Sequence, residues 1–115
     1  MEEILTLADK LGRAIATHER FQALRTAEKN VSENEGANRA QTELEKHMNH
    51  ISDLEQSGKP VEVADKRKLE QLQNEFRSQP ALQQLVKAQA DYLEMMNKVN
   101  ETIVSRLRPP EREPG

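Results

Sequence analysis

Residues 80–107, PALQQLVKAQADYLEMMNKVNETIVSRL, hold a single proline at their first position and no glycine. Within them Leu82, Leu85, Val86, Tyr92, Leu93, Met96, Val99, Ile103 and Leu107 fall on one stripe of an α-helix. At 1.5 Å rise per residue this helix reaches roughly 40 Å, longer than a compact domain of this size is wide. Part of the stripe therefore calls for a second chain to cover it. The fold class that follows is all-α: an antiparallel helical hairpin of long helices, straight or kinked, that assembles into a dimer or higher oligomer.

Composition agrees with that class. The 115 residues are 35% apolar and 32% charged, which gives a thin core, and Phe21, Phe76 and Tyr92 are the only aromatics. Helix formers dominate and glycine is confined to Gly12, Gly36, Gly58 and Gly115, leaving little room for strands and their turns. A net charge of −3 with both signs interspersed speaks against a broad electrostatic hold on nucleic-acid phosphates. Local positive clusters occur only at Lys66-Arg67-Lys68 and at Arg106, Arg108 and Arg112. With no cysteine, disulfides, thiolate nucleophiles and cysteine-held metal centres are excluded. The start Met1-Glu2-Glu3 lacks a basic region ahead of an apolar run, and no apolar run approaches membrane-spanning length. A cytoplasmic protein without membrane partners is the expectation.

Upstream of the long helix, Ile4, Leu7, Leu11 and Ile15 keep helical spacing, and Phe21, Leu24, Ala27 and Val31 continue it. Thr17 between them is the expected N-cap, and one bent helix or two short ones satisfy the pattern. Asn30 to Gly36 reads as a polar break. Ala37, Ala40, Leu44, Met48, Ile51 and Leu54 then mark a helix that should stop at Gln56-Ser57-Gly58-Lys59-Pro60. Val63, Leu69, Leu72 and Phe76 define another, starting near Glu62, where Glu62 and Asp65 suit the helix dipole. The apolar phase slips at Ser78-Gln79-Pro80, as a kink or a fresh start at proline requires. Residues 1–108 make a single helical domain, and 109–115, PPEREPG, a disordered tail.

A shift of 61 positions pairs Leu11 with Leu72, Ile15 with Phe76, Thr17 with Ser78, Phe21 with Leu82, Gln22 with Gln83, Leu24 with Leu85 and Ala27 with Ala88. Chance matches of this kind are common between amphipathic helices. Two similarly bent helical arms account for them, with internal duplication as the alternative.

The stretches LGRAIATHERFQAL (residues 11–24) and QPALQQL (79–85), separated by the polar turn near Gly58 and followed by the long helix, resemble the YlbF/YmcA family of small bacterial helical proteins. The resemblance spans Glu2 to about Leu107 and rests on helix-packing positions. It implies an all-helical, oligomer-forming cytoplasmic protein, some of whose relatives act as regulators in multi-protein complexes linked to biofilm, competence, sporulation and ribonuclease-dependent RNA maturation. Some relatives carry cysteines associated with iron–sulfur clusters; this chain has none, so that cofactor is not carried over.

Candidate chemistry is sparse. Glu43, His47 and His50 share roughly one face of a helix, but a helical di-metal site needs Glu-x-x-His on two helices, and here the spacing differs and occurs once. His47 and His50 are expected to flank the packing stripe, one partly buried and one exposed, and His18 to lie in a first turn at the surface. No phosphate-binding glycine loop or nucleophile elbow is present. No catalytic residue, metal ligand or cofactor is assigned. The functional expectation is a non-enzymatic adaptor that self-associates and binds protein partners, with Leu85, Tyr92, Met95, Met96, Val99 and Ile103 as interface residues. The alternative is a weak nucleic-acid binder using the two basic clusters.

Overall fold

Four short breaks divide the chain. The computed structural model describes residues 1–109 and contains α1 (Glu2–Ala16), α2 (Glu19–Glu33), α3 (Glu35–Gln56), α4 (Val63–Ser78) and α5 (Pro80–Leu107). No strand occurs among the described residues, and the fold is all-α. Of the expected disordered tail, residues 110–115 lie outside the described residues.

The first break makes two helices, but with a different cap from the one expected. The Thr17 hydroxyl donates backwards to the carbonyls of Arg13 and Ala14, both at 3.2 Å, and so closes α1. His18 caps α2 instead, its Nδ1 accepting the Arg20 N–H at 3.1 Å. Gln22 then reaches back across the joint, donating from Nε2 to the Ala16 carbonyl at 2.6 Å. The second break is one residue long rather than seven. Asn34 adopts an extended conformation and its side-chain oxygen accepts the Ala37 N–H at 2.9 Å, so residues 30–33 stay in α2 and Gly36 joins α3.

The hairpin turn falls where glycine and proline place it. Gly58 has φ of +69°, and Lys59 N–H donates to the Leu54 carbonyl at 2.9 Å, closing the end of α3. A capping box opens α4, with Asp65 Oδ2 accepting the Glu62 N–H at 3.1 Å. At the last break α4 stops at Ser78, Gln79 is extended, and Pro80 sits where a missing N–H costs nothing, so α5 is a fresh start.

Packing has two layers. α5 lies antiparallel on α2: the Phe21 and Tyr92 rings are 6.0 Å apart, and Arg20 Nη1 donates to the Asp91 carbonyl at 3.1 Å. At the other end of the pair Val31 joins Leu82, which is fully buried, in a core completed by Ala27, Ala37, Ala40, Leu85 and Ala88. Alanine at four of these positions lets the helix backbones approach closely. Of the long stripe, Val86 and Leu93 face solvent.

In the second layer α4 packs on α3, with Leu72 and His47 buried. His47 Nε2 lies 2.7 Å from the Asp65 carbonyl, which can only accept, so this nitrogen carries the ring hydrogen. His50 is exposed, 3.5 Å from Asp65 Oδ1.

The two proline- and threonine-marked joints are built alike. At the α4–α5 joint the Ser78 hydroxyl donates to the Glu75 carbonyl at 2.7 Å and Gln83 Nε2 to the Arg77 carbonyl at 2.5 Å. Each of these bonds repeats one at the α1–α2 joint with every residue 61 positions later. A shallow groove on the α2–α5 pair is lined by Ala23, Thr26, Ala27 and Asn30 and by the four residues 61 positions later, Gln84, Lys87, Ala88 and Asp91. The α1–α2 and α4–α5 units thus face each other across an approximate two-fold axis.

Candidate functional site

That axis relates two unequal halves. α4 is tied to α3 by the Gly58 turn and to α5 by the Gln79 joint, so it lies flat on α3. α1 is held only at its Thr17 end, meets no element other than α2, and has no buried residue. Ile4, Leu5 and Leu7 are exposed, and Leu11 is 39% exposed where its counterpart Leu72 is 5%.

The helix that ought to cover α1 does not turn towards it. Asn34 bends the chain so that α3 meets α4; the residue 61 positions later is Met95, which has no cap to offer, and α5 continues through it unbroken to Leu107. The last three turns of α5 therefore carry Ile103, Val104 and Leu107 into solvent.

Between these two arms lies an open cleft of about 660 Å³ with an apolar floor of Leu11, Met95, Val99 and Ile103. His18, Glu19, Arg20, Lys98 and Thr102 complete its lining. Just outside, Glu94 accepts from Lys98 at 3.1 Å and faces Arg20 Nη1 at 3.7 Å. The Lys98 hydrogen bond and charge, followed by the charge of Arg20, hold the Glu94 carboxyl below its ordinary range. The cleft can receive an apolar helix face with polar groups at its base.

The six residues expected at an interface separate in the structure. Leu85 is buried between helices of the same chain, while Tyr92 and Met96 are half-buried, Tyr92 against Phe21. Met95, Val99 and Ile103 line the cleft. Sequence reasoning did not single out Leu11, His18, Arg20 or Lys98 as site residues. The available signal was the run Ile4, Leu5, Leu7 and Leu11, four large apolar residues within three turns of one helix.

The other candidates do not assemble. Glu43 is exposed, His47 is committed to the Asp65 carbonyl, and no group of three or more His, Asp or Glu side chains suited to a metal ion occurs among the described residues. Lys66, Arg67 and Lys68 are exposed on α4, Arg106 and Arg108 are exposed near the end of α5, and Arg112 lies outside the described residues. No described helix is long and apolar enough to cross a membrane.

Fold and cleft together define a class: a small all-helical protein with an open, largely apolar cleft between two helical arms. The chain belongs to the YlbF/YmcA family, whose model, described as control of competence regulator ComK, matches residues 4–108, from the first turn of α1 to the end of α5. No curated protein sequence matches the chain. The thiolates that an iron–sulfur cluster requires are absent from the sequence, so the residues present do not fit that group.

Proposed function

We propose that this protein is a non-enzymatic regulatory adaptor: copies associate through the open cleft, and the assembled helices hold a protein partner. The single observation that supports this most strongly is the cleft itself, lined by Leu11, Met95, Val99 and Ile103, on two arms that also leave Ile4, Leu7 and Leu107 exposed. The family's description as a control on a competence regulator supports the regulatory half of the proposal. The resemblance directs the search for partners to bacterial complexes in developmental regulation and RNA maturation, and to a cytoplasmic setting.

Sedimentation velocity of the full chain across a micromolar concentration series tests the association. A sedimentation coefficient that rises with concentration, and Ile103→Glu holding the chain monomeric with unchanged helix content, are the expected results. A folded monomer throughout the series refutes self-association.

A further inference from the structure

The two matching joints differ at the residue that stands between their helices. His18 is extended between α1 and α2, and Gln79, 61 positions later, is extended between α4 and α5. The following position holds Glu19 at the first joint and Pro80 at the second. Proline fixes the φ with which α5 begins and has no N–H to satisfy, and the Gln79 side chain makes no capping bond. Glu19 imposes no such constraint. The start of α2 is held instead by His18 Nδ1, which accepts the Arg20 N–H at 3.1 Å.

An imidazole nitrogen accepts a hydrogen bond only while it carries no proton. The cap therefore requires a neutral His18 ring with its hydrogen on Nε2. A proton taken up at Nδ1 turns the acceptor into a donor, sets it against the Arg20 N–H, and places positive charge at the positive end of α2. The ring is exposed, so solvent supplies that proton directly.

The surrounding charges are mixed. Arg20 of α2 and Lys98 of α5 line the cleft beside His18 and oppose a further positive charge, whereas Glu19 of α2 favours it. Glu94 of α5 is shared by Lys98 and Arg20, and on α1 Arg13 is bridged to Asp9 at 3.0 Å. Whichever of these dominates the charge of the ring, a ring protonated at Nδ1 cannot cap α2.

We propose that His18 is a proton-sensitive latch on the α1 arm: neutral, it fixes the start of α2 and with it the direction of α1 along the cleft; protonated, it lets go and the arm swings more widely. Histidine is the side chain that ordinarily changes charge between pH 5 and 8. The contribution of the cap is present at the alkaline end of that range and is lost as pH falls through it. The effect reaches the whole arm because α1 meets no element other than α2, so the joint alone sets its direction. The Thr17 hydroxyl bonds and the bond from Gln22 to the Ala16 carbonyl involve no titratable group and keep the arm tethered in acid. The α4–α5 joint, with no titratable cap, is a control within the same molecule. The latch does not depend on the association proposed above.

Three full-length chains test it: wild type, His18→Asn, which keeps a strong cap that does not titrate, and His18→Ala, which removes the cap. Amide exchange is measured at Thr17 and Arg20, and at Leu82 and Gln83 of the control joint, with dilute protein at pH 8 and pH 5. Comparing chains at one pH cancels the intrinsic pH dependence of exchange. At pH 8 the wild type is expected to exchange at Thr17 and Arg20 as slowly as His18→Asn. At pH 5 it is expected to match His18→Ala, about fivefold faster than His18→Asn. Leu82 and Gln83 should be the same in all three chains at each pH. A wild type that follows His18→Asn at both pH values, or His18→Ala at both, overturns the latch, as do three indistinguishable chains. Sedimentation of the same wild-type chain against concentration reports on association alone, so either reading can fail without the other.

Discussion

At Asn34 one half of the molecule closes; at Met95 the other stays open. On one side a capped break turns α3 onto α4 and buries Leu72, and on the other an uninterrupted α5 leaves Leu11 beside an open cleft. The joints that close α1 and α4 are nearly the same, so the difference arises from whether a helix continues or stops at one position. A single capping side chain can thus decide whether an amphipathic helix is satisfied within its own chain.

The largest effects should come from matched truncations across the two halves. Leu82→Ala, at the fully buried centre, is expected to cost about 3–5 kcal/mol and Leu72→Ala about 2–4 kcal/mol in urea denaturation. Leu11→Ala should cost less than about 1 kcal/mol where the chain is monomeric, because that side chain already meets water. Equal losses at Leu72 and Leu11 would erase the distinction between the halves.

Next in size is the break itself. Asn34→Ala removes the acceptor for the Ala37 N–H and should lower stability by about 1 kcal/mol in the same measurement. If the capped break holds the closed half together, the substitution should also speed amide exchange in α4 while leaving α1 unaffected.

Much of this architecture was legible in the residues, for identifiable reasons. Gly58-Lys59-Pro60 and Pro80 are strong punctuation, since backbone geometry leaves them few alternatives, and the helix ends fall there. Asn34 was blurred because asparagine, serine and glycine cluster around it, and only tertiary packing decides which of several competent caps is used. Thr17 was misassigned because a hydroxyl closes one helix as readily as it opens the next.

The site was less legible than the fold. Apolar spacing marked the α5 stripe but could not tell which turns α2 covers, so Leu85 and Ile103 looked alike until α2 and α5 were paired. The correspondence at 61 residues looked like coincidence at the level of residue types. Side-chain bonds from Gln22 and Gln83 to matching carbonyls give it structural content.

Those bonds support a smaller prediction. Gln22→Ala and Gln83→Ala each lose one side-chain hydrogen bond to the backbone and should each cost about 0.5–1.5 kcal/mol. Similar values would mark the joints as equivalent; a large cost at only one would mean that they differ beneath the shared geometry.

The smallest effect is electrostatic. Because Lys98 and Arg20 lower the folded-state value of Glu94 beneath its ordinary 4.5, their contribution is present above that pH and fades as pH falls through the lowered value. At low salt, the stability difference between the wild-type chain and Glu94→Gln should be constant above about pH 5 and vanish in stronger acid. A difference that grows on acidification would contradict the assignment.

Amide hydrogen exchange of α1 and α4, followed in one sample series from dilute to concentrated protein, tests the central claim most directly. The account predicts that α4 is protected throughout, whereas protection of α1 is weak when dilute and rises with concentration as a second copy covers it. Protection of α1 equal to that of α4 at the lowest concentration would contradict it.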